Sequence, residues 1–131
     1  MDHARYTRDI HAAVELFESG RLEEAAVAWR VLASDSELPL PDRALQLQNL
    51  ALTLTRLGRV DEAEAAYDEG IAIEQRLLRG YLLEAKAAWL VERGRSGDAV
   101  AIYEWLLRQF WLDSGQIQRY RQNLASLSGS G

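Results

Sequence analysis

Residues 58–70 read GRVDEAEAAYDEG. The Gly-Arg pair follows a run with Leu47, Leu50, Leu54 and Leu57 at helical spacing. It precedes a second run, Ala63, Ala66, Tyr67, Gly70 and Ile71, with the same periodicity. Two amphipathic helices separated by one glycine predict a helical hairpin. Gly58 suits the end of the first helix, where the chain reverses through a positive φ that a Cβ would penalise. Asp61 and Glu62 suit the start of the second, where the helix dipole favours negative charge.

The same phrase occurs upstream and downstream. GRLEEAAVAWRVL starts at Gly20 and GRSGDAVAIYEWL at Gly94, giving spacings of 38 and 36 residues. Five residues after each glycine stands Ala25, Ala63 or Ala99, and nine after it Trp29, Tyr67 or Tyr103. Seven before it stands Ala13, Ala51 or Ala87, and four before it Leu16, Leu54 or Leu90. The repeated small residues predict close helix–helix approach within each pair, and the aromatics predict a filled wedge between pairs. The pattern predicts helices over about 3–19, 22–34, 42–57, 61–78, 79–93 and 97–110. Residues 34–42, SDSELPLPD, read as an extended linker because each proline disfavours a helical predecessor. Asp42 reads as the N-cap after it. Asp113 or Ser114 is placed to cap a seventh helix over about 115–127, which would shield the last open face of a repeat stack. The tail at 128–131 is expected to be flexible.

This small–Leu–Gly–Ala–aromatic set resembles the tetratricopeptide repeat (TPR) family, with repeats over about 6–39, 44–77 and 80–112. The resemblance implies an all-α fold: a right-handed superhelix of three antiparallel helix pairs with a seventh capping helix, all one domain over 1–127. The chain departs from the family in lacking the closing proline of each unit, with Glu37, Gln75 and Trp111 near that place. Gly70 and Ser96 stand where larger residues are usual.

Composition excludes several roles. The 131 residues carry 15 Lys+Arg against 20 Asp+Glu, a formal net charge of −5, and no Cys. There is no basic cluster for nucleic acid, no thiolate for a disulfide, zinc site or nucleophile, and no apolar run long enough to insert in a membrane. The N-terminal MDHARYTRDIHAAV lacks the apolar core of a signal peptide, so a cytoplasmic location is expected. His11 and Glu15 form an incomplete pair for a metal. No nucleophile, acid and base come together, so the expectation is no enzyme, no cofactor and no metal.

The resemblance implies that the first helix of each pair lines a concave groove. That groove would present Ile10, Val14 and Phe17, then Leu45, Gln48, Asn49, Leu52 and Arg56, then Tyr81 and Glu84. The mix of aliphatic and amide groups suits a peptide or helix of another protein. The carboxylate clamp of chaperone-binding TPR proteins would need its set at Ile10, Val14, Asn49, Tyr81 and Ala85, and only Asn49 fits. The expected function is thus a protein-interaction adaptor or scaffold. Two alternatives are a small secretion-type chaperone and a self-associating module, a homodimer or larger assembly, built on Trp105, Phe110 and Trp111. In the blander reading, Phe110 and Trp111 anchor the seventh helix.

Overall fold

Gly20, Gly58 and Gly94 have φ of 81°, 77° and 76°, the left-handed conformation expected at the three repeat positions. At each, the glycine N–H and the next arginine N–H turn back onto the preceding helix. Arg21 donates to the Leu16 carbonyl at 2.9 Å, Arg59 to Leu54 at 2.9 Å and Arg95 to Leu90 at 2.8 Å. These six-residue closures pair carbonyls that the helix end would otherwise leave open. The leucine four places before each glycine supplies the accepting carbonyl, and its side chain turns inward: Leu54 and Leu90 are buried and Leu16 is half-buried.

The computed structural model describes residues 3–129. It is all-α, with seven helices: α1 His3–Glu18, α2 Leu22–Ala33, α3 Leu40–Arg56, α4 Val60–Arg76, α5 Tyr81–Glu92, α6 Ser96–Leu106 and α7 Ser114–Gly129. The chain divides after Leu77 into two compact units. In the first, α1 to α4 pack in chain order; in the second, α5 to α7 do. Of the tail expected at 128–131, α7 includes residues up to Gly129, and the last two residues lie outside the described range.

The six repeat alanines, Ala13, Ala25, Ala51, Ala63, Ala87 and Ala99, are all completely buried. Trp29, Tyr67 and Tyr103 are buried as well, as are Leu54 and Leu90. A methyl group at these positions lets paired backbones approach, while the large rings fill the space between elements. Of these rings, Trp29 buries its indole N–H without a hydrogen-bond partner among the described residues.

The arginine after each glycine has a second task. Arg21 forks onto Glu24 at 2.9 and 2.6 Å, and Arg59 onto Glu62 at 3.1 and 2.6 Å. Arg95 donates to Asp98 at 2.9 Å. None of the second helices has a side-chain N-cap bond, so the acid three residues on, held by this arginine, supplies the charge that the helix N-terminus favours. The hydrogen bond from Arg59 holds the Glu62 carboxyl below the usual carboxylate range. These pairs are exposed and contribute modestly to stability.

Inside the first unit, side-chain contacts repeat at nearly the repeat spacing. Tyr6 near the start of α1 meets Gln46 near the start of α3, and Phe17 near the end of α1 meets Arg56 at the end of α3. The two helices therefore run parallel. Glu23 and Arg30 of α2 pair with Arg59 and Glu69, 36 and 39 residues on, so α2 and α4, with the cap before it, are parallel too. One helical hairpin is followed by another in the same orientation, giving an α1–α3 layer and an α2–α4 layer.

Three boundaries differ from expectation. Helix α3 starts at Leu40, with Pro39 in the capping place and Pro41 inside the first turn, so Asp42 is not the N-cap. Proline is tolerated there because first-turn N–H groups have no partner in the helix. The linker is held instead by an Asp35 side chain accepting from the Glu37 N–H at 2.9 Å, by Arg43 donating to the Ala33 carbonyl at 2.9 Å, and by buried Leu38. Helix α6 stops at Leu106 rather than near 110, and the chain turns through residues 107–113. Helix α4 ends at Arg76, and Leu78 takes φ 56° without being glycine.

The φ values make one paired prediction. A Cβ at Gly58 would meet no atom within 4 Å, so the cost of Gly58→Val is chiefly conformational. It should destabilise by about 2 kcal/mol, since a β-branched residue resists the left-handed region. Leu78→Gly should do the reverse, raising stability by about 0.5–1 kcal/mol. Chemical denaturation of both variants checks the opposite signs.

Candidate functional site: the α1–α3 face

On α3, Leu45, Asn49, Leu52 and Arg56 recur at i, i+4, i+7 and i+11, which sets them on one side of the helix. The core side of α3 holds Ala44, Leu47, Leu50, Ala51 and Leu54. Leu45 and Leu52 are accordingly 49 % and 44 % exposed. On α1, Ile10, Val14 and Phe17 make the matching stripe, with Val14 exposed and the other two half-buried. The two stripes meet where the Arg56 guanidinium lies 4.5 Å from the centre of the Phe17 ring. This contact leaves the arginine exposed while covering part of the ring.

Beside these aliphatic groups runs a polar chain that the sequence reading did not pick out. Gln46, almost fully buried, donates from Nε2 to the Tyr6 hydroxyl at 3.2 Å. Asn49 donates from Nδ2 to Gln46 Oε1 at 3.0 Å, and Thr53 donates to the Asn49 carbonyl at 2.9 Å. Burial raises the Tyr6 pKa above its ordinary value. A buried glutamine needs partners on both ends of its amide, and Tyr6 and Asn49 supply them. The signal in the sequence was the Gln46–Asn49 i, i+3 pair, which the groove reading used only through Asn49. Gln48 is half-buried on the same helix.

Tyr81 and Glu84 belong to the second unit. Tyr81 is exposed, with the Arg79 guanidinium 5.0 Å from its ring centre. Glu84 is engaged by α7: Arg119 donates to it at 2.6 and 2.9 Å and the Tyr120 hydroxyl at 3.1 Å. Tyr120 is the largest fully buried side chain among the described residues. Its ring lies 5.9 Å from that of Tyr103, whose hydroxyl accepts from Asn123 at 3.3 Å. Helix α7 opens with a reciprocal cap: Gln116 N–H donates to Asp113 at 2.7 Å and Asp113 N–H to Gln116 at 2.9 Å. Asp113, rather than Ser114, is therefore the cap.

Trp105 and Trp111 are half-buried and Phe110 is 85 % exposed. A Cβ on Gly80 would stand 3.1 Å from the Trp111 ring and 2.7 Å from Leu106, so Gly80 admits this ring because it has no side chain. Phe110 points away and is not an anchor for α7, in contrast to the blander expectation; Tyr120 fills that role.

Among the described residues, no helix is long and apolar enough to cross a membrane. No group of three or more His, Asp or Glu is placed to hold a metal ion there. Sequential antiparallel helix pairs define the class, a seven-helix all-α protein. Compared with known protein families and with curated proteins, the chain matches none.

Proposed function

We propose that the chain is a TPR-like adaptor that binds a peptide or helix of another protein along its α1–α3 face. The reading takes the seven helices as a small superhelix of three pairs with α7 as its cap. Support for the repeat comes from the three positive-φ glycines and the six buried alanines. The observation that carries the binding role is the pair of exposed stripes, Val14 with Leu45 and Leu52, beside the half-buried amides of Gln48 and Asn49. Aliphatic groups would supply affinity and the amides direction, the usual division of labour in a peptide groove. The role is non-enzymatic, and a secretion-type chaperone would be a narrower form of it.

The test begins with affinity capture, identification of the partner and titration with the purified partner. Leu52→Glu should weaken binding by about a hundredfold while helicity persists, since it places a charge where an apolar contact forms. Val14→Glu, on the α1 stripe of the same face, should also weaken it. Unchanged binding in both variants would remove the groove assignment.

Self-association through the Trp105–Phe110–Trp111 stretch is a second reading, favoured by the exposed Phe110 ring. Static light scattering should then show assembly that Phe110→Ala abolishes. A monomer at millimolar concentration would eliminate it.

A further inference from the structure

We propose that the α2–α4 face of the first unit is a second docking surface, one that takes a cationic amphipathic helix with aliphatic side chains on one side. Val27 and Val31 stand one turn apart on α2 and are 65 % and 64 % exposed. They border a cleft of about 460 Å³ between α2 and α4, with Leu50 and Leu54 of α3 also lining it. Two ion pairs cross from one helix layer partner to the other, Glu23–Arg59 at 3.1 Å and Arg30–Glu69 at 2.7 Å. They bridge the two walls, and the packing of α2 and α4 on α3 forms the cleft before anything enters it.

Charge selects the occupant. With their capping arginines, α2 and α4 (residues 21–33 and 59–76) carry eight carboxylates against four cations, and only Glu74 of the eight is buried. Helices α1 and α3 carry four of each. The negative charge of the unit therefore lies largely on the layer that also exposes the valines. The charged residues of the cleft itself balance, Glu23 and Glu62 against Arg30 and Arg59, so the excess comes from carboxylates outside its lining, among them the exposed Glu24, Asp61 and Asp68. That excess favours a partner with Lys or Arg flanking its apolar stripe. A second copy of this chain is a poorer occupant, because it brings its own net charge of −5. A helix fits the valine spacing, since Val27 and Val31 at i, i+4 match a partner's leucines one turn apart.

The probe is a fluorescein-labelled amphipathic helix of leucine and lysine, titrated against the full chain by fluorescence anisotropy. Saturable binding is expected, weakened about tenfold or more by the double variant Val27→Ser/Val31→Ser, whose exposed positions leave the fold intact. Leu52→Glu, on the opposite layer, should leave this binding unchanged, which separates the outcome from that of the α1–α3 proposal. Three results would overturn the inference: equal binding by the valine variant, equal binding of a scrambled peptide of the same charge, or loss of binding in Leu52→Glu. Light scattering that shows two copies pairing through the valines would overturn it as well.

Discussion

Replacing Tyr120 by alanine should cost about 3–5 kcal/mol and release α7 from the second unit. The side chain is completely buried, its ring lies tilted against that of Tyr103, and its hydroxyl donates to Glu84. Removing it empties a cavity in the contact that holds α7, leaving mainly the Arg119–Glu84 fork and the Asn123–Tyr103 hydrogen bond. Hydrogen exchange should show α7 amides losing protection while α1 to α4 keep theirs. Tyr120→Phe retains the ring and should cost only about 1 kcal/mol. Burial pushes the Tyr120 pKa up to about 12 from an ordinary value of 10.0. The folded chain thus holds a proton that the unfolded chain releases. The stability from this group is complete below pH 10 and is lost as pH rises from about 10 to 12. In Tyr120→Phe that part of the alkaline loss should disappear.

Enlarging a repeat alanine is the second large effect. Ala63 is completely buried at the start of α4, which packs against α3, where Ala51 is equally buried. Ala63→Leu must push the pair apart or force strained rotamers, at about 1–3 kcal/mol. The exposed Ala65, two residues on, is the control: Ala65→Leu should change stability by less than about 0.5 kcal/mol. Equal melting of the two variants would show that the alanine register does not set the helix spacing.

Both effects bear on what a reader of the sequence can see. The repeat glycines, alanines and aromatics were legible because each answers a local demand that recurs three times: a reversal, a close approach, a filled wedge. The helix order followed from them. Tyr120 was invisible because α7 has no counterpart elsewhere in the chain, and its burial depends on Glu84 and Tyr103 from distant positions. The Arg-to-acid forks were hidden for another reason. Glu62 already had a role in the helix dipole, so its arginine partner drew no notice. Pro41 misled because proline usually marks a break, whereas in a first turn it costs no hydrogen bond.

The α1–α3 stripe was half legible. Helical spacing selected Leu45, Asn49, Leu52 and Arg56 as one face, and the exposed leucines agree with that reading. Spacing alone could not show that Arg56 would cover Phe17 or that Gln46 would reach Tyr6. Those contacts depend on α1 and α3 lying parallel. They also narrow the surface open to a partner, since Phe17 is half-covered before anything binds.

Amide hydrogen exchange of the full chain, alone and saturated with its purified partner, tests the adaptor reading most directly. Added protection should fall on α1 around Ile10–Phe17 and on α3 around Leu45–Arg56, with α2 and α4 unchanged. Protection confined to α2 and α4, or to residues 105–111, would contradict it.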